Sequence, residues 1–396
     1  MSMDAGFSPS FAADFRPARP GCLRTRDEST PGAPDWLLMA AVLGMLGLGL
    51  IMVFSASIGA GEALHHDPYY FFKRQMSIAF MGLALMCLII WLLPRSLIEL
   101  LQYPALGVCL VLLVLCLVAP AGTPKAKRWL NLYVATLQPM EFTKIALVCY
   151  LGYFFSNKQH LVKTFNRGLL PLFIVTGTIC VLLLLQPDFG AAVVMCMLLF
   201  FMCLAGGARF FYLCITGLLA AAGAWLLTIN SGYRLLRLNI FLDPFSYPEK
   251  AYQIIQSFLA LGSGGISGVG LGLGKAKLLY LPEIHTDFII AALGEELGLI
   301  GISAVFALIL LLGWRGLRTA MLQNDLRGRL TAFGLTLVLI IPMLLNLAVV
   351  SSSIPAKGVA MPFFSYGGSS LLSSLICAGL LLKYSRYARR EKAHVD

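Results

Sequence analysis

Long apolar runs separated by short polar stretches dominate the chain. Ten such runs occupy about 36–55, 75–93, 104–119, 141–156, 169–185, 188–206, 208–229, 287–314, 329–352 and 364–384. A bilayer core about 30 Å thick is crossed by about 20 apolar residues in a helix. Only helices and closed barrels satisfy their own backbone groups in hydrocarbon. The pattern therefore predicts an all-α integral membrane protein of about ten transmembrane helices. The longest non-apolar stretch, about 230–286, predicts a large extracytoplasmic loop between helices 7 and 8. Its aromatic residues, among them Phe241, Phe245, Tyr247, Tyr252 and Phe258, suit docking on a membrane surface better than a free linker.

Composition sharpens this picture. Apolar residues make up 59% of the chain and charged residues 12%, against roughly 25% charged in a soluble domain. Residues 1–35 are polar, rich in Pro and Arg, and lack a cleavable signal pattern; they read as a disordered cytoplasmic tail. Residues 36–384 form the membrane domain and 385–396 a basic cytoplasmic tail. The net charge of +11 lies in loops and tails, where a bilayer orients it, so no nucleic-acid partner is expected. With both termini inside, 18 of the 30 Lys and Arg residues fall on the cytoplasmic side, which favours that orientation. The ten cysteines show no CxxC or Cys/His ligand spacing and read as small core hydrophobes.

Polar residues at helix ends carry the candidate chemistry. "LPEIHTDFIIAALGEELG" (281–298) sets Glu283, His285 and Asp287 before an apolar run and Glu295 and Glu296 inside it. Thr286 or Asp287 could cap the eighth helix, or Asp287 could be a catalytic carboxylate at the outer surface. The two roles compete, because a carboxylate held by backbone amides is a poorer base. Glu295 lies eight residues beyond Asp287, on the same helix face. Acids inside a span face the protein interior and are paired; Lys144 is a candidate partner. Glu141 and Lys144, at i and i+3 in "LQPMEFTKIAL", also suit an intrahelical ion pair.

"KAKRWL" gathers Lys127 and Arg128 beside Trp129 on the outer side, against the positive-inside trend, and suggests an anionic ligand. "QPDFG" reads as a tight turn capped by Asp188. "GSGGISGVGLGLGKAK" lacks the strand context of a nucleotide loop, so its glycines permit close backbone turns while Lys275 and Lys277 add cations. "FFSYGGSSLL" supplies Ser365, Gly367 and serines suited to capping the last helix. This outer-side set could hold an anionic lipid-linked molecule and activate a hydroxyl on it, or form the vestibule of a transporter.

The segments "KRWL", "QPMEFTK", "QPDFG", "YQIIQSFLALGSGGISGVGLG", "KLLYLPEIHTDFIIAALGEELGLIG" and "PFFSYGGSS" resemble, in order, those of the SEDS family (shape, elongation, division and sporulation), ten-helix peptidoglycan glycosyltransferases of bacteria. The N-terminal extension and "SASIGAGEALHHDPYYFFKRQ" look more like the FtsW-type division branch than the RodA-type elongation branch. The resemblance implies polymerisation of lipid II outside the cytoplasmic (inner) membrane at the division septum, with release of undecaprenyl pyrophosphate. It further implies partners: lipid II, undecaprenyl-linked glycan, a class B penicillin-binding protein transpeptidase and other divisome membrane proteins. The essential aspartate of the family maps onto Asp287. Lys277 and Arg128 match basic motif positions and are expected at pyrophosphate, with Lys127, Lys275, Glu283 and His285 nearby; Glu283, Glu141, Lys144 and Glu296 match other motif positions, for which a structural role is the alternative. A divalent cation, Mg or Mn, is a possible cofactor, with Asp287 its possible ligand; no nucleotide is expected. The chain departs from the family at Lys125, Ala348 and Ser352, where Gly is common. These changes bear on packing of the outer vestibule or on partner preference and leave the acid motif intact.

Two other functions compete. A lipid II flippase or other lipid-linked transporter needs a polar path at the membrane midplane, for which Glu295, Glu296 and Lys144 are the candidates. A scaffold recruiting a transpeptidase would tolerate loss of Asp287.

Overall fold

A computed structural model of the chain describes residues 31–120, 127–131, 136–275, 286, 288–355 and 358–388. These form a helical bundle with one two-stranded hairpin. In chain order the helices are α1 (Trp36–His65), α2 (Tyr70–Trp91), α3 (Arg95–Leu100), α4 (Gln102–Val118), α5 (Pro139–Asn157), α6 (Leu170–Leu185) and α7 (Phe189–Ala205). They continue with α8 (Phe210–Ile229), α9 (Gly232–Leu242), α10 (Tyr252–Gly264), α11 (Ile289–Met321), α12 (Leu326–Val350) and α13 (Gly368–Ser385). Antiparallel strands β1 (Leu130–Asn131) and β2 (Thr136–Leu137) precede α5.

A helix occupies each of the ten apolar runs. Six stretches, α1, α2, Phe165–Leu185, α11, α12 and α13, are long and apolar enough to cross a membrane; α4, α7 and Phe210–Gly223 are apolar but shorter. The helices start where local chemistry starts them. Asp35 accepts hydrogen bonds from the amides of Leu37 and Leu38, both at 3.1 Å, and caps α1. Asp325 caps α12 through the Gly328 amide, and Pro139 and Pro171 stand in the first turns of α5 and α6, where a missing N–H costs nothing.

Helices α5 and α12 pack together at the centre, with α13 against α2, α11 against α1, α10 and α12, and α4 against α5. α5 is enclosed on nearly every side, so Glu141, Thr143 and Lys144 are buried despite their polarity. The stretch 230–286 is not one continuous loop: it contains α9 and α10, and α10 packs along α11. Two apolar faces hidden in that polar-looking stretch account for the difference.

α11 is two helices in line. Gly298 at φ 64° and ψ −159° interrupts it, and the glycine-rich segment after α10 fills the break. The carbonyls of Glu295 and Glu296 accept from the amides of Val269 and Gly270, both at 3.0 Å. The amides of Leu299 and Ile300 in turn donate to the carbonyls of Gly265 and Ile266 at 3.0 and 3.2 Å. An unbroken helix would have joined those same four groups to one another. The inserted segment thus replaces the lost bonds one for one, which a broken helix within a membrane protein requires.

Candidate active site

One end of the bundle collects the polar segments that the sequence singles out. The chain enters the hairpin through Lys127 and Arg128. Lys127 is half-buried. The Arg128 guanidinium lies on the turn between α6 and α7: it donates to the Pro187 carbonyl and, at 3.5 Å, to the Gln186 carbonyl, with Nε 3.7 Å from the Asp188 carboxylate. Asp188 accepts from the Ala191 amide at 3.1 Å and caps α7. Burial pushes its carboxyl above the ordinary range, against the pull of Arg128 and the Ala191 amide. The buried Gln186 side chain donates to the Leu113 carbonyl at 2.8 Å and fixes the turn on α4.

Just inside this layer, Lys144 Nζ donates to Glu141 Oε2 at 2.8 Å. The Ser373 hydroxyl of α13 reaches the same carboxylate at 3.1 Å. Lys144 is therefore not the partner of Glu295 and Glu296: at i and i+3 of one helix it meets Glu141 first. Backbone amides and a hydroxyl take that place. Glu296 accepts from the Ser55 hydroxyl of α1 at 2.6 and 2.8 Å and from the Gly272 amide at 3.1 Å. Glu295 accepts from the Lys275 amide at 2.7 Å, while the Lys275 side chain is exposed. The two acids therefore clamp the glycine-rich segment from which the chain runs on to Thr286.

The turn before α13 closes the layer. The Ser365 hydroxyl donates to the Thr286 carbonyl at 2.6 Å and accepts from the Met361 amide at 2.8 Å. Gln75 of α2 spans the same turn, donating to the Ser365 carbonyl at 3.3 Å and accepting from the Gly367 amide at 3.4 Å. The serines do not cap α13, whose N-cap is Gly367 with no side-chain bond. Ser369 instead accepts from the Gln138 amide at 2.9 Å and tethers the hairpin. Likewise Thr286 is not the N-cap of α11; that residue is Phe288, with no side-chain bond, because the helix begins at Ile289.

Asp287, Lys277, Glu283 and His285 lie outside the described residues, as do Arg389, Arg390 and Lys392 of the C-terminal tail and Lys357. Thr286 marks where Asp287 joins the chain. Of the residues that hold Thr286 in place, sequence reasoning missed Gln75, and it also missed Ser55 at the glycine-rich segment; Ser369 is singled out there with its neighbouring serines for capping, not for tethering the hairpin. Gln75 and Ser55 are each a polar side chain inside an apolar run, a signal present in "KRQMSIAF" and "VFSASIG".

Among the described residues no three His, Cys, Asp or Glu side chains converge as a metal set. The described layer can fix a carboxylate-bearing segment, present a guanidinium at its rim and keep its buried charges paired.

Residues 35–390 match the model of the cell cycle protein family that comprises FtsW, RodA and SpoVE. A probable peptidoglycan glycosyltransferase FtsW of Geobacter sulfurreducens is 40% identical over 354 residues, 89% of this chain and 95% of that protein. Stage V sporulation protein E of Bacillus subtilis is 37% identical over 366 residues, 90% of this chain and 98% of that protein. Among solved structures, a chain of a peptidoglycan synthase complex that coordinates polymerization and crosslinking superposes with a TM-score of 0.73 at 28% identity, covering 89% of this chain and 98% of that one. The rod shape determining protein RodA of Thermus thermophilus superposes with a TM-score of 0.68 at 28% identity, covering 91% and 99%. Matched along nearly its whole membrane domain, the chain belongs to the FtsW/RodA/SpoVE family of cell cycle proteins.

Proposed function

We propose that the protein is a peptidoglycan glycosyltransferase that polymerises lipid II at the outer face of the cytoplasmic membrane, with Asp287 as its general base. The observation that carries the reading is convergence: segments before β1, between α6 and α7, and before α13 meet at one end of the bundle, where Ser365 holds the residue next to Asp287. The acceptor sugar hydroxyl must lose a proton as it attacks the anomeric carbon, and a surface carboxylate can take it. Negative charge then develops on the leaving pyrophosphate, and Arg128 at the rim, with Lys277, suits its stabilisation. The described residues offer no donor set that fits a divalent cation, so no step is assigned to one.

The finer reading places the termini in the cytoplasm, the enzyme at the division septum and a class B penicillin-binding protein beside it. It rests on the charge distribution, on the FtsW-named relatives and on the synthase complex among the structural neighbours. Among the described residues the three candidates for a transport path are engaged elsewhere: Lys144 closes on Glu141, while Glu295 and Glu296 hold loop amides.

The test is polymerisation of purified lipid II by the wild-type chain and by Asp287→Ala, each with and without a class B penicillin-binding protein whose serine is blocked. Glycan strands from the wild type and none from the variant are expected. Equal product from both would remove Asp287 from the chemistry. No product from either, with the partner present, would overturn the polymerase reading.

A further inference from the structure

Helices α6, α7 and α8 enclose an apolar cavity of about 660 Å³ that is open on one side and lined by Phe173, Gly177, Phe189, Val193 and Gly217 among others. Two cysteines stand in its wall on adjacent helices. Cys180 of α6 and Cys196 of α7 lie with their sulfurs 3.7 Å apart, Cys196 exposed and Cys180 half-buried. The Thr176 hydroxyl, one helical turn from Cys180, is buried in the same wall without a hydrogen-bond partner. The wall therefore holds three weakly polar groups where hydrocarbon would pack as well.

The pair sits at shallow depth. Cys180 precedes Gln186 by six residues and Cys196 follows Asp188 by eight, which at the rise of an α-helix places both about 9–12 Å from the α6–α7 turn. Joining the sulfurs requires them to approach from contact distance to a bond of about 2 Å. The two helices already pack side by side, so rotation of the two side chains and a small helix shift supply that approach.

We propose that Cys180 and Cys196 form a redox-modification site that a lipid-soluble quinone oxidises to an intramolecular disulfide. One sulfur adds to the quinone ring; the second attacks the first, forming the S–S bond and expelling the hydroquinone. Two S–H bonds break, both protons end on quinone oxygens, and the quinone takes up the two electrons. The open cavity admits a flat apolar oxidant to sulfurs that a charged, water-borne one reaches poorly. The disulfide staples α6 to α7 along the wall that faces α8. The inference is independent of the glycosyltransferase reading.

The test uses the full-length protein in lipid nanodiscs, reduced, freed of reductant and exposed to ubiquinone-1 or to the charged, water-borne oxidant tetrathionate. Free thiols are then alkylated and peptides mapped without reduction. A linked Cys180–Cys196 peptide is expected, formed faster with the quinone than with tetrathionate and abolished by reductant. Cys214, exposed on α8, is expected to remain alkylated and serves as the comparison within the same chain. Cys180→Ser and Cys196→Ser should each leave the other thiol alkylated. Full alkylation of both cysteines after quinone treatment of the wild type would overturn the proposal, as would their linkage only to other cysteines. The decisive reading comes from the wild-type protein, so poor folding of a variant does not blunt it.

Discussion

At the scale of single residues, the Glu141–Lys144 pair shows how this protein keeps charge inside an apolar bundle. Both side chains are about 5% exposed and 2.8 Å apart, so neither ion is left without its counterpart. Removing one member of a buried pair strands the other and costs about 3–5 kcal/mol, whereas replacing both with apolar groups of similar size is far milder. Lys144→Met should therefore lower the thermal midpoint of the purified protein sharply, and Glu141→Leu with Lys144→Met should recover most of the loss. A double variant no better than the single one would show that Glu141 matters for more than its pairing, with the Ser373 contact the first place to look. The i, i+3 spacing made this pair legible in the sequence. The partners of Glu295 and Glu296 were not, because backbone amides of Gly272 and Lys275 donate to them and an amide has no residue type to read.

At the scale of elements, the broken helix α11 depends on the segment that mends it. Gly268 has φ +78°, and a Cβ there would lie 2.1 Å from the Glu296 carbonyl oxygen, a backbone atom that cannot swing aside. Gly262, on α10, has open space around it. Gly268→Ala should displace the segment and release buried amides and carbonyls, each worth about 1–3 kcal/mol when unsatisfied. Gly262→Ala should be neutral or stabilising by up to about 1 kcal/mol, since Ala is the better helix residue. Limited proteolysis of 264–275 in the two variants checks this, and equal resistance would deny the segment its mending role. Apolar runs located the helices, because membrane burial writes its length into the sequence. They did not locate the break at Gly298, which comes from pairing with residues some 30 positions earlier. Nor did they show α9 and α10, whose apolar faces are short and interleaved with polar residues.

At the scale of the molecule, the end opposite the candidate site is a lattice of arginines that ties helices remote in sequence. Arg315 meets Asp35 at 2.6 Å, Arg386 donates to the Gly32 and Ile90 carbonyls, and Arg327 reaches Glu99 and Gln102. Arg95 bridges Glu99 at 2.9 Å and Asp325 at 2.6 Å, joining α3 to the start of α12. Burial raises the proton affinity of Asp325, but attraction to Arg95, their hydrogen bond and the Gly328 amide outweigh it, and its carboxyl is held below the ordinary carboxylate value. A depressed acid contributes stability above its unfolded pKa of about 4 and loses it as pH falls through the lower folded value. The thermal midpoint of the wild type should therefore decline as the pH drops below about 4. Asp325→Asn keeps a side-chain cap for α12 while removing the charge, so its midpoint at neutral pH should be lower and its acid decline shallower. Because Asp325 is 44% exposed, added salt should shrink the neutral-pH difference. Superimposable acid limbs for the two proteins would mean that the Arg95–Asp325 bridge does not hold this end of the bundle together, and that the other arginine contacts and the packing of α13 on α2 do so without it.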